Sequence, residues 1–449
     1  MNEAHRDLAT GRPGYHLEQL PDGTVRQESP LTGTVVWTVP GRSHRPLPAV
    51  APPQPLRPGD MDTTCAFCSG RHLDTPPEKA RLVLGSDPGQ PWQILRHLPA
   101  DQLGMTVAEV RRIPNLFEIL PFEYWHANHG YELPAPIRER ARAYAASPTG
   151  RAHLVAIMRT RARASGRPAV QVAGLAEDEL VEQSVRLFAG SHDVIVARRH
   201  FVDGASQDDE VASAGDLTPL EHGAYMALTV DALRDLALSM PDAAYVATFQ
   251  NWLRAAGASF DHLHKQLVAI DEYGPLMARI VGMLRETPDL FTVAITDPAA
   301  RDRLVIAEND HAVALAGVGH RYPTVEIYSK AAANHPWEHS PEALRGMSDM
   351  VHACHAATGR LVPTNEEWHY RPVGADVAMP WRINLKWRIS TLAGFEGGTK
   401  INVNTIAPAG LRDRMITALA ALRDAGRIAP LAVGDQCAHR TGVLDYLAG

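Results

Sequence analysis

Apolar and polar positions change period several times along this chain. Residues 34–39 form a short apolar run after the turn at Thr32-Gly33 and predict a strand. Residues 40–58 are rich in Pro and predict extended chain or loop. Residues 112–117 predict a strand entering a turn. Residues 137–146, 151–165 and 177–189 carry helical periodicity, with Gly190 as a stop signal. The run 192–197 reads as a buried strand. Thr218-Pro219-Leu220-Glu221 is a helix start with Thr218 as N-cap, Pro219 in the first turn and Glu221 completing a capping box. Residues 244–270 read as strand, loop, strand.

A similar course follows in the second half. Residues 313–316 and 324–328 predict strands, and Ser340-Pro341-Glu342 opens a helix through about residue 357. Residues 381–389 and 400–405 predict strands, and 411–425 a last helix. Strands, a helix opened by Ser/Thr-Pro with an early Glu, and further strands in both halves point to an internal duplication of an α+β unit. Length agrees, since 449 residues exceed one ordinary core.

Charge and composition exclude several classes. Lys plus Arg number 44 against 51 for Asp plus Glu, a net charge of −7. An acidic chain is a poor nucleic-acid binder. No apolar run reaches the roughly 20 residues of a membrane span, and residues 1–20 have no secretory apolar segment. The 4 cysteines cannot build a disulfide framework, so a reducing cytoplasm is expected. The lysines are few (Lys79, Lys265, Lys330, Lys386 and Lys400), so an Arg cluster carries little functional weight here.

The densest chemistry lies between Asn251 and Gln266. In a strand, His262, His264 and Gln266 project from one face. Three polar groups on one face ahead of the apolar run 267–270 are costly to bury without partners. Gly257 and Ser259 upstream make a small-residue loop that lets a phosphate approach backbone N–H groups. Cys65 and Cys68 form C-x-x-C, which fits a redox pair, a metal half-site or chance. With no second C-x-x-C, a tetrahedral zinc would need histidines for its remaining ligands. The pairs His126/His129, His335/His339 and His352/His355 read as surface or loop histidines, and Cys354 as a small core residue.

Several blocks then resemble, in order, the galactose-1-phosphate uridylyltransferase-like family of the histidine-triad superfamily. Pro30-Leu31-Thr32-Gly33 with Pro40-Gly41-Arg42 and Arg45-Pro46 resembles the family's "PLTG…PGRxxRP". Residues 65–70 with Thr75-Pro76-Pro77-Glu78 resemble "CPFCPG…TPPE", and Pro114-Asn115-Leu116-Phe117 resembles "PNxxPAL". Residues 192–200 resemble "HEVIVExPDH", one residue short, and 251–266 resemble "NxGxxxGxSxxHPHxQ". Residues 311–315, 323–327 and 393–399 extend the likeness through the second half.

The resemblance implies an α+β fold of two tandem units, each an antiparallel sheet with flanking helices. The first, 1–285, would be catalytic and carry a helical insertion at about 134–190; the second, 286–449, would be non-catalytic. It implies a nucleotidyltransferase moving a nucleoside monophosphate from a nucleotide-sugar or nucleotide to a phosphate-bearing acceptor. His264 would be the covalent nucleophile, and Gln266 would bond the transferred phosphoryl group. Arg42, Arg45, Asn115, Asn251, Gly257 and Ser259 would contact substrate. Cys65, Cys68, His200 and His262 would hold one structural zinc, with His192 the competing fourth ligand. The alternatives are a dinucleoside-polyphosphate phosphorylase or nucleotide hydrolase, or a degenerate nucleotide-binding regulator. A homodimer is implied, and no nucleic-acid or membrane partner. The family's second H-x-H is replaced by Asn384-Leu385-Lys386, and its first loop Gly by Leu253.

Overall fold

The capping box read at Thr218 is formed: its Oγ1 accepts from Glu221 N at 3.2 Å, and Glu221 Oε2 accepts from Thr218 N at 2.7 Å. The helix it starts runs Pro219–Ser239. Its counterpart, Pro341–Thr358, is capped by Ser340, whose Oγ accepts from Ala343 N at 3.2 Å. The structure is a computed structural model and describes residues 16–41, 52–87, 89–438 and 440–448. Arg42 and Arg45 lie outside the described residues.

The fold is α+β, built on an antiparallel sheet of 12 strands. In spatial order these are Ala432–Val433, Val305–Glu308, Ala312–Ala316, Thr324–Ser329, Arg382–Trp387, Thr364–His369, Tyr245–Trp252, His264–Ile270, His192–Ala197, Val110–Pro114, Ala80–Asp87 and Gln90–Arg96. The seam at its centre pairs Tyr245–Trp252 with Thr364–His369, in a register that sets Asn251 opposite Asn365 and Gln250 opposite Glu366. On either side of the seam the chain takes the same course. A strand (His192–Ala197 or Thr324–Ser329) leads into the capped helix and then the seam strand. The next strand then slots between those two.

Directly paired residues share a sheet face. Lys265, Gln250 and Glu366 therefore face the two long helices, whereas His264, Gln266, Asn251, Asn365, Glu367 and Lys386 face the other way. The helix-covered face is the main core, with Leu267, Tyr225, Leu233, Met347 and Cys354 all buried. That face corrects one expectation. His352 and His355 are buried helix residues rather than surface ones: His352 Nε2 donates to Leu217 O at 2.6 Å, and His355 meets Glu366 at 2.7 Å. His335 is buried as well, stacked on Trp337.

Residues 134–190 contribute no strand. They fold as helices Ala135–Ala146, Pro148–Ala164, Ala169–Ala173 and Glu177–Gln183, followed by a 3-10 turn. Their Tyr144, Leu154, Ile157, Leu180 and Leu187 form a core separate from the main one. A smaller sheet joins His16–Gln19, Val25–Glu28 and Val35–Thr38 to Ile401–Asn404, the last pair parallel. Among the described residues no helix is long and apolar enough to cross a membrane.

Candidate functional site

The strand expected to carry His262, His264 and Gln266 begins at His264. Alternation therefore governs His264 and Gln266 only. His262 precedes the strand, where Nε2–H donates to Ala197 O at 2.7 Å and leaves Nδ1 facing the thiols of Cys65 and Cys68.

Cys65, Cys68, His200 and His262 converge from three distant stretches of chain. Cys65 Sγ is 3.7 Å from Cys68 Sγ, 3.4 Å from His200 Nδ1 and 3.5 Å from His262 Nδ1. Cys68 Sγ is 3.3 Å from His200 Nδ1 and 3.9 Å from His262 Nδ1. A tetrahedral zinc with ordinary bond lengths needs S···S of about 3.8 Å and S···N of about 3.5 Å. The four side chains therefore fit a tetrahedral metal ion, and Ala197 O fixes the tautomer of His262 that a ligand needs. Among the described residues, only here do metal-capable side chains gather in this way. Contact with Cys65 and then with the two imidazoles draws the Cys68 thiol well below its ordinary range, against burial, so the pair favours a thiolate. His192, the competing ligand, lies elsewhere.

The segment 65–78 is held to the sheet by a buried ionic cluster that the motifs did not reveal. Glu78 bonds Arg81 at 2.8 Å and Arg111 at 2.5 Å, and Arg111 also reaches Thr75 Oγ1 at 2.7 Å. Two arginines alternating with apolar strand residues were the available signal, hidden by the chain's general Arg excess.

His264 is 5% exposed. Its Nδ1 lies 2.7 Å from His262 O. A carbonyl only accepts, so Nδ1 carries the proton and Nε2 keeps the free lone pair. Burial, with the neighbouring His262 ring, pushes its pKa down to about 4, against the backbone bond that raises it, so the ring is neutral at pH 7. Phe67 lies beside the ring, centroids 5.2 Å apart.

Gln266 Oε1 is 3.0 Å from His192 Nε2, and Asn115 Nδ2 is 3.1 Å from the same nitrogen. Asn115 is thus beside Gln266. Asn251 sits on the seam, its Oδ1 accepting from Asn365 Nδ2 at 2.7 Å. Gly257 and Ser259 lie in the loop between the two strands. Gly257 has φ +91°, and a Cβ there would come 4.0 Å from Asn251 Nδ2. A pocket of about 450 Å³ opens on this face, with Asn251, Asn365, Glu367, His369 and Arg388 in its walls. In the second half Lys386 Nζ is engaged by Glu367 at 2.6 Å.

The chain can now be set beside known proteins. No curated protein matches it in sequence. An ADP-glucose phosphorylase from Arabidopsis thaliana, solved with bound ADP-glucose, is 18% identical with a TM-score of 0.54, covering 87% of this chain and 97% of its own. A GalT-like protein from Arabidopsis thaliana is 16% identical with the same score and the same coverage. These likenesses establish the fold alone, which this chain shares with the ADP-glucose phosphorylase and the GalT-like protein. One family model, described as a domain of unknown function (DUF4921), matches residues 20–446, and the chain belongs to that family.

Proposed function

We propose that this protein is a nucleotidyltransferase that passes a nucleoside monophosphate from a nucleotide-sugar or nucleotide donor to a phosphate-bearing acceptor, through a nucleotidyl group carried on His264. One observation carries the reading: His264 Nδ1–H is tied to His262 O, so Nε2 is left as a nucleophile beside Gln266 on the sheet face away from the helices.

The steps follow from that geometry. Nε2 attacks the α-phosphorus, the Nε2–P bond forms, and the bond from phosphorus to the departing phosphate oxygen breaks. The departing phosphate takes the electron pair. Nδ1 keeps its proton, and His262 O stabilises the positive charge that develops on the ring. The acceptor phosphate oxygen then attacks the same phosphorus, and His264 leaves as the neutral imidazole. Gln266 bonds the phosphoryl oxygens. Asn115, Asn251, Gly257, Ser259, Arg42 and Arg45 are proposed to contact the rest of the substrate.

Cys65, Cys68, His200 and His262 are proposed to hold one zinc. With four protein ligands and no open position, it would fix the segments that present His264. We further propose a catalytic half at 1–285, with the 134–190 helices as an insertion, and a non-catalytic half at 286–449. A cytoplasmic homodimer completes the proposal.

The test is incubation with radiolabelled ADP-glucose, UDP-sugars and nucleoside triphosphates. An acid-labile, base-stable adduct that is absent from His264→Ala supports the reading. No adduct with any donor, or an undiminished one in His264→Ala, overturns it. A second reading, phosphorolysis, is favoured by the likeness to a protein described as a phosphorylase. Discharge of the adduct by inorganic phosphate rather than by a sugar phosphate would select it.

A further inference from the structure

His192 is 2% exposed and belongs to neither the metal group nor the reacting atoms. It stands at the head of strand His192–Ala197, which pairs with the strand of Gln266. Its backbone O accepts from Asn115 N at 2.7 Å, and its Nδ1 lies 3.3 Å from Ile119 N. A backbone N–H cannot be flipped and can only donate, so Nδ1 is the accepting nitrogen. In the neutral ring Nε2 then bears the hydrogen. The atom it meets at 3.0 Å is Gln266 Oε1.

This fixes the amide of Gln266. Its oxygen is occupied by His192 Nε2–H, so its NH₂ group is the end left to offer. Asn115 is fixed in the same sense by a different partner: its Oδ1 accepts from Phe117 N at 2.9 Å. Its Nδ2 lies 3.1 Å from His192 Nε2, which in this tautomer has no lone pair to offer, so His192 takes neither of its hydrogens. Two neighbouring carboxamides thus have their oxygens locked inward. Carboxamides are otherwise ambivalent, and an oxygen turned outward would repel an anion.

We propose that His192 is a positioning residue: with the Ile119 and Phe117 amides it turns Gln266 and Asn115 into a pair of neutral donors for the non-bridging oxygens of a phosphoryl group. This rests on the reading of His264 as nucleotidyl carrier, because Gln266 is the strand neighbour of that residue on the same face.

Two measurements test it separately. The first needs no activity. Long-range ¹H–¹⁵N imidazole spectra of the wild-type protein, with His192 assigned by its loss in His192→Gln, should show the Nε2–H tautomer; an Nδ1–H tautomer overturns the proposal. The second uses the donor that labels wild type. His192→Phe keeps the ring volume without the donor and should slow adduct formation about tenfold to a hundredfold, short of deleting an oxyanion donor outright. His192→Gln keeps an N–H near the Nε2 position and should recover most of that loss. In a Gln266→Leu background His192→Phe should cost little more, since it acts through Gln266. Equal losses in both backgrounds, or no rescue by Gln, overturn the proposal. Absence of any adduct in wild type would instead defeat the catalytic reading, and the tautomer would still decide the arrangement.

Discussion

Lys265 and Glu366 form a 2.6 Å ion pair across the central seam, and neither side chain is exposed. Lys265 Nζ also donates to Gln250 Oε1 at 3.2 Å and lies 4.7 Å from the centroid of the Tyr225 ring. His355 holds the other carboxylate oxygen at 2.7 Å. The pair links strands from either side of the seam, one residue from His264 in sequence but on the opposite sheet face.

Breaking this pair on one side should be costly, because it strands a charge in the core. Lys265→Met should lower unfolding stability by about 3–5 kcal/mol. Adding Glu366→Gln should restore part of it, since the orphaned charge is gone. Urea unfolding of the two variants checks this; a double variant as unstable as the single would remove the ionic explanation.

The metal group makes a different prediction. Cys68→Ser and His262→Ala should each lose bound zinc, measured by elemental analysis, and lower the thermal midpoint. His264→Ala should keep the zinc, since His264 bonds only the backbone carbonyl of His262. A chelator should destabilise wild type but not Cys68→Ser. Full-length protein that binds no zinc, or zinc retained in Cys68→Ser, would show that the four side chains do not form the site their spacing fits.

Acid should act through buried carboxylates. Burial pushes the pKa of Glu326 up, but the charge and hydrogen bond of His320 outweigh it and, with Arg382, bring it down to about 2. A carboxyl that titrates lower in the folded chain contributes stability above its ordinary value of 4.5, lost as pH falls towards 2. The shift is worth about 3 kcal/mol. Glu366 acts in the same direction, held low by Lys265 and His355 against its burial. Glu326→Gln should therefore flatten the fall in unfolding midpoint between pH 5 and pH 3. If that variant loses stability as steeply as wild type, Glu326 is not the titrating group.

Much of this was legible in the sequence because local chemistry and tertiary placement agreed. Thr218 and Glu221 announce a helix start within four residues, and the structure forms that box. Cys65 and Cys68 alone leave a redox pair, a metal half-site or chance open, and the resemblance around His200 and His262 points to the metal group that the structure gathers. The choice of His200 over His192 comes from the resemblance alone and not from the strand pattern. It depends on which way the chain turns after the strand His192–Ala197, and a strand pattern does not show where its ends point. His352 and His355 were misread because an amphipathic helix with polar residues on its inner stripe looks like an exposed one. Their partners, Leu217 O and Glu366, are set by tertiary packing alone. Lys265 was hidden likewise: between His264 and Gln266 it is the residue that strand alternation sends to the opposite face, and only the seam register shows that Glu366 waits there.

Leu253 supplies the last prediction. It stands where the resemblance has a glycine, and its backbone keeps the conformation glycine would adopt, φ +65° and ψ +156°. That region is nearly forbidden to L side chains, and holding a residue there costs about 1–3 kcal/mol. The side chain is half-buried and packs against the main core, which offsets part of the cost. The loop it opens contains Gly257, Ser259 and His262, so the strain sits at the entrance to the site. Truncating a half-buried leucine ordinarily destabilises, and glycine, which adds unfolded-state entropy, is ordinarily worse than alanine. At residue 253 the order should reverse. Leu253→Gly should be near neutral, because relief of strain balances lost packing. Leu253→Ala should be destabilised, because it loses packing and keeps the strain. Leu253→Val should be worst, because a β-branched residue tolerates positive φ least. Unfolding midpoints of the three variants give the order directly. If Leu253→Ala is more stable than Leu253→Gly, the backbone at Leu253 is relaxed and the loop does not depend on that strained turn.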